Sequence, residues 1–173
     1  MSPENVGNSL AFLILVLAIW MMWPMVIGAV FVSTPMNKVN KMLEMAEVGK
    51  EDHLIDLGSG DGRIVIEAAR KYGASSVGIE ADPIRVFWSR LRVMSNGLDG
   101  KVEIVWGNLF NSDLSKASVV TIYQGQGINN RLKAKFEKEL ESGARIVSYS
   151  FTFEGWEPVK NDPILDLYLY ILE

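Results

Sequence analysis

Seven residues, Asp56-Leu-Gly-Ser-Gly-Asp-Gly62, constrain the fold of this chain more than any other feature. They close the strand-like run HLIDL and open Arg63–Tyr72, which reads as a helix. A glycine turn from strand to helix returns the chain across a sheet, so the next strand runs parallel and helices cover the faces.

The remaining sequence keeps that alternation. Met36–Val48 has apolar residues at helical spacing and is closed by Gly49. Ser76–Glu80 reads as a second strand, and Pro83–Ser95 as a helix with proline in its first turn. Val102–Trp106 and Val119–Tyr123 are expected as the third and fourth strands, Ile128–Glu141 as a charged amphipathic helix, Arg145–Phe151 as the fifth strand and Leu165–Leu172 as a sixth. The expected fold is α/β, a Rossmann-like, doubly wound, mostly parallel sheet of six or seven strands, preceded by one N-terminal transmembrane helix.

That helix is expected over residues 10–32. Leu10–Val32 holds no charged residue, and such a stretch spans roughly 30 Å as a helix, about the hydrocarbon thickness of a bilayer. Pro24 and Gly28 are tolerated in membrane helices. A cleaved signal peptide would begin with a basic region, but MSPENVGNS holds Glu4 and neither Lys nor Arg. A buried core helix would need a larger domain around it. The domain reading is therefore a tail over 1–9, a transmembrane helix over 10–32 and a catalytic domain over 33–173. Lys38 and Lys41 follow the span, which predicts a single-pass membrane protein with the catalytic domain cytoplasmic and the lipid bilayer as a partner.

The loop also selects a ligand. A G-x-G-x-x-G turn seats a pyrophosphate, whereas here the pattern is G-x-G-x-G, with Asp56 before it and Asp61 within it. Two carboxylates repel a pyrophosphate and favour the ammonium and sulfonium of S-adenosylmethionine. Asp56, Gly58, Ser59, Gly60, Asp61 and Gly62 are thus candidate cofactor residues. Glu80 ends the second strand some twenty residues on, where an acid accepts from both ribose hydroxyls, with Ala81 beside it. Asn108 ends the third strand and can pair with the adenine edge, while Leu109 and Phe110 wall the ring. The net charge of -4 argues against a nucleic-acid substrate. With no cysteine and one histidine, His53, no metal site is expected.

DLGSGDGRIVIEAA, VGIE and GNLF resemble motifs of the class I, seven-β-strand methyltransferases. Ser33-Thr34-Pro35 leading into KVNKMLEMA, and the later SYSFTFEGW, resemble the archaeal protein-lysine methyltransferases and their membrane-targeted mitochondrial relatives that modify the adenine nucleotide translocase and the c-ring protein of ATP synthase. The likeness runs roughly from Phe31 to Trp156. It implies Asp56, Gly58, Ser59, Gly60, Glu80 and Asn108 as cofactor contacts, and Thr34 and Pro35 as a lid near the methionine end. Tyr123-Gln-Gly-Gln-Gly-Ile-Asn-Asn130 is more polar than the branch leads one to expect and borders the substrate entrance. Thr121-Ile-Tyr-Gln124 lacks the prolines of base-modifying relatives, which speaks against nucleobase amino groups. The expected function is a membrane-anchored methyltransferase acting on a protein lysine, a membrane protein being one candidate acceptor, with Tyr123 orienting the nucleophile. The alternatives are methylation of a lipid head group or other lipophilic molecule, and a non-catalytic S-adenosylmethionine-binding membrane protein.

Overall fold

The computed structural model describes residues 8–18 and 32–173, in two compact units, Met1–Val32 and Ser33–Glu173. The second unit holds strands β1 (His53–Leu57), β2 (Ser75–Glu80), β3 (Val102–Trp106), β4 (Val119–Ile122), β5 (Arg145–Tyr149), β6 (Lys160–Asp162) and β7 (Leu167–Ile171). Its helices are α1 (Met36–Met45), α2 (Arg63–Glu67, continued as a π-helix over Ala68–Tyr72), α3 (Pro83–Ser95) and α4 (Gln126–Glu139).

The strands form one seven-stranded sheet in the order β3-β2-β1-β4-β5-β7-β6. β1 to β5 run parallel; β7 is antiparallel to β5, and β6 to β7. Because strand side chains alternate between faces, the register sorts the core into two layers. Leu54, Val119, Val147 and Leu167 join α1 and α2 residues such as Met42 and Val65, and α3 residues Val86 and Val93, in one cluster. Ile55, Val120, Ile122 and Ile146 join Leu132 and Phe136 of α4 in the other. One face thus carries three helices, and the second carries α4 with Phe153 and Trp156 from the segment after β5.

Asp82 starts α3 because its Oδ1 accepts from the Ile84 and Arg85 N–H groups, with Pro83 in the first turn. β5 stops at Tyr149 rather than Phe151 because Ser150 turns at φ 69 and donates its N–H to the Asp166 carbonyl. β6 has no signature in its sequence, Lys-Asn-Asp; backbone pairing to β7 makes it a strand.

The transmembrane helix expected over 10–32 is corrected. Among the described residues no helix is long and apolar enough to cross a membrane. Residues 8–18 are helical, about 16 Å of rise, roughly half of a hydrocarbon core; residues 19–31 of the expected span lie outside the described residues, and Val32, its last residue, is not helical. The single-pass membrane location with a cytoplasmic catalytic domain falls with it, since the lysine count set the orientation of that helix alone.

Candidate active site

Strand order reverses between β1 and β4, the position where a doubly wound sheet opens a crevice at its carboxyl edge. The glycine loop sits there. Gly58 and Ser59 donate their N–H groups to the Ile79 carbonyl, both at 2.9 Å, and Gly62 donates to the Ser59 carbonyl at 2.9 Å. Gly60 donates to Glu80 Oε2 at 2.8 Å. A phosphate cradle needs such groups free. Here four of them are already satisfied.

Carboxylates define the electrostatics instead. Asp56 is buried on β1 and accepts from Thr121 Oγ1 at 2.8 Å. Burial pushes its carboxyl up to about 7; the Thr121 hydrogen bond opposes the rise, and the charges of Glu80 and Asp61 add to it. Glu80, also buried, accepts from Gly60 N–H with one oxygen and from Asp82 N–H at 2.9 Å with the other, so it ties the loop to the end of β2. Each of its oxygens keeps a second lone pair. Asp61 differs from the sequence reading. Burial works to raise its carboxyl, but the Arg63 hydrogen bond and the charges of Arg63 and Arg92 outweigh burial and hold it below the usual carboxylate range. Both arginines bridge it, at 2.7 and 2.6 Å. The acidity expected of the loop therefore rests on Asp56 and Glu80.

Ser59 is turned down onto Gly78, where a Cβ would stand 2.6 Å from Ser59 Oγ. That hydroxyl is buried without a hydrogen-bond partner among the described residues. Internally bonded amides, a buried acid with no counter-charge among the described residues and an unpartnered hydroxyl suit a ligand with a cationic end and hydroxyl groups. They fit S-adenosylmethionine and do not fit a pyrophosphate.

The Thr34-Pro35 lead-in is tied to the loop through Arg63. Thr34 is buried, and its carbonyl accepts from Arg63 Nη1 at 2.8 Å, so the arginine on Asp61 also holds the Thr34-Pro35 lead-in. Pro35 opens α1, its carbonyl accepting from the Lys38 and Val39 N–H groups at 3.0 Å. Tyr123 follows β4, half-buried, its ring 4.2 Å from that of Tyr149 at the end of β5. Burial raises the Tyr123 phenol above its ordinary value, Tyr149 adds to the rise and Lys38 opposes it. At the end of β3, Asn108 is exposed and its Oδ1 accepts from Phe110 N–H at 2.9 Å, shaping a turn, while Leu109 packs with the opposite core layer. Ala81 is exposed and its carbonyl accepts from Trp106 Nε1 at 3.0 Å.

Sequence reasoning misses Arg63, Arg92, Gln124, Lys38 and Tyr149. Gln124 has its side-chain amide over Gly58, so close that a Cβ there would have to displace it; the polar run after β4 is its one signal. The rest of that run is structural. Asn129 is fully buried and donates to Ser148 Oγ and the Phe151 carbonyl, both at 3.1 Å, fixing the turn after β5. His53 lies on the other face, its Nδ1 2.9 Å from Ser75 Oγ, where it lines a pocket of about 230 Å³ with Val77 and Asp113.

Residues 56–160 match the ANTKMT methyltransferase domain. The chain is 40% identical over 149 residues to a protein-lysine N-methyltransferase of Saccharolobus islandicus (strain REY15A), covering 82% of this chain and 92% of that protein. It is 29% identical over 136 residues to the adenine nucleotide translocase lysine N-methyltransferase of Mus musculus, covering 79% of this chain and 59% of that protein, so it spans little more than half of that relative's length. Among solved structures it is similar to one described as an RNA methyltransferase from Salinibacter ruber in complex with S-adenosyl-L-homocysteine, with a TM-score of 0.80 and 42% identity over 82% of this chain and 94% of that one.

Proposed function

We propose that this chain, which belongs to the ANTKMT methyltransferase domain family and is an S-adenosylmethionine-dependent methyltransferase, transfers the methyl group to the side-chain amine of a protein lysine. The observation that carries this reading is the match over 92% of an archaeal protein named for that reaction. The mouse relative, named for lysine methylation of the adenine nucleotide translocase, supports the same acceptor class.

In this reading Asp56, Gly58, Ser59 and Gly60 would hold the methionine end of the cofactor. Asp61 and Gly62 would shape the turn, Glu80 and Ala81 would take the ribose, and Asn108 and Leu109 the adenine. Thr34 and Pro35 would cover the methionine end. When bound, S-adenosylmethionine supplies a methyl made electrophilic by positive sulfur. The chain's own task is to bring an amine lone pair into line with that methyl and to exclude water. Tyr123 is at the carboxyl edge for that task, and its raised phenol stays protonated near neutral pH. It therefore orients the amine through a hydrogen bond and does not abstract its proton.

A second reading, transfer to RNA, is favoured by the description of the Salinibacter ruber structure. The formal charge of -4 weighs against it, because an RNA acceptor calls for a basic surface along its phosphates. Methyl-labelled S-adenosylmethionine incubated with the purified chain and a cell extract separated into protein, RNA and lipid decides between them. We expect label in the protein fraction, recovered as methyl-lysine after hydrolysis; label confined to RNA or lipid overturns the reading.

A further inference from the structure

Lys38 lies within the first turn of α1, which begins directly after the Thr34-Pro35 lead-in. Its Nζ donates to the Tyr149 hydroxyl at 2.7 Å and stands 4.1 Å from the centre of the Tyr149 ring. That ring packs on Tyr123, centroid to centroid 4.2 Å with a 36° tilt. The arrangement follows from register. β4 and β5 pair Thr121 with Val147 and Ile122 with Ser148, so Tyr123 and Tyr149 are the next residues along adjacent strands, on the face that α1 covers. All three side chains are half-buried.

We propose that Lys38 is a positioning residue that fixes the Tyr149–Tyr123 pair as one wall of the acceptor's entry and makes that entry selective for an uncharged amine. This rests on the lysine reading above. Two stacked phenol rings alone would attract an alkylammonium through their faces. A lysine arrives at neutral pH almost wholly as ammonium, and in that form it has no lone pair to donate. With the Lys38 charge held against the same rings, a second ammonium is repelled, while a neutral amine with its apolar stem along the rings is not. A like charge at close range in a partly desolvated site disfavours the protonated form by about one pH unit or more. The acceptor gives its proton to water on entry, its lone pair forms the new N–C bond, and the methyl's bond to sulfur breaks with the electron pair staying on sulfur.

Other charges near α1 do not cancel this effect. On α2 and its loop, Arg63 and Asp61 bridge each other, and Glu67 pairs with Arg70. Lys71 bridges Glu44 of α1. Lys41 lies on α1 itself, and Asp166, before β7, is exposed. β7 contributes Leu167 and Leu169 to this face. Asp56 is engaged by Thr121. Among the described residues the partners of Lys38 Nζ are the Tyr149 hydroxyl and ring, and no carboxylate is one of them.

The test is kcat against pH, which reports groups that ionise in the bound complex, for the full chain with a lysine-bearing peptide acceptor. Lys38→Met should move the rising limb up by about one pH unit, with kcat down about tenfold at pH 7 and converging on wild type at high pH. Lys38→Arg, which keeps the charge, should restore the wild-type limb, and calorimetry should give all three proteins the same affinity for S-adenosylhomocysteine. A loss in Lys38→Met that is equal at every pH overturns the proposal, because it marks a structural role only. Methyl groups found on Lys38 itself by mass spectrometry also overturn it, since the residue would then be an acceptor. If the wild type methylates no lysine, the lysine reading fails; if it does and the limb does not move, only the Lys38 proposal fails.

Discussion

Asp56 is where a single residue joins stability to binding. In the folded chain its carboxyl titrates at about 7 because burial outweighs the Thr121 hydrogen bond, whereas an unfolded aspartate titrates near 3.9. A carboxyl raised by folding holds its proton more tightly in the native state. Its contribution to stability is complete below about pH 4 and is lost as pH rises through about 7. A cationic ligand reverses the preference, since it favours the carboxylate. We therefore expect affinity for S-adenosylmethionine to strengthen as pH rises from 6 to 8, by up to about tenfold per unit below 7. Asp56→Asn should remove that pH dependence and weaken binding at pH 8, while raising the melting temperature of the cofactor-free chain at the same pH. Calorimetry at pH 6, 7 and 8 with parallel melting curves checks both halves. An asparagine variant that keeps a pH-dependent affinity refutes the assignment.

At the scale of elements, the loop and β2 are one unit. Gly58 and Ser59 hang from the Ile79 carbonyl, and Glu80 holds Gly60. The loop can lie this close only because Gly78 has no side chain. A Cβ there would stand 2.6 Å from Ser59 Oγ, 2.8 Å from Ser59 Cβ and 3.0 Å from Ile104 Cδ1. Gly78→Ala should cost about 1–3 kcal/mol as an overpacked site, and adding Ser59→Gly should recover part of that loss. Urea denaturation of the two single variants and the double variant measures the coupling, and strict additivity would argue against direct contact. Periodicity makes Gly58 to Gly62, Glu80 and the bounds of α3 legible, because strand, turn and helix each leave a local pattern. Gly78, Arg63 and Lys38 are not legible in this way. Their roles exist only once β2, α2 and α1 are brought against the loop, and no local pattern encodes that meeting. In the sequence Lys38 reads as a marker of membrane orientation and as the start of KVNKMLEMA, and β6 escapes notice because backbone pairing alone makes it a strand.

Across the whole molecule, the sheet separates what it carries on its two faces. Asp56, Glu80, Tyr123 and Tyr149 share the face of α1 to α3, while the other face is closed by α4 and an aromatic group of Phe136, Phe153, Trp156 and Tyr170. Phe153 is 1% exposed and stacks within 5.0–5.8 Å of the other three rings. Truncating a buried phenylalanine to alanine costs about 3–5 kcal/mol, a large share of the roughly 5–15 kcal/mol that holds a typical domain together. Phe153→Ala should therefore lower the urea midpoint strongly. The same change touches no residue of the carboxylate centre, so affinity for S-adenosylmethionine, measured at a temperature where the variant is folded, should stay within a few-fold of wild type. Saturating cofactor should raise the melting temperatures of both proteins, since it binds only the native state. A Phe153→Ala variant that stays folded but loses cofactor binding would show that the two faces are coupled through the strands, and the separation drawn from their register would be wrong.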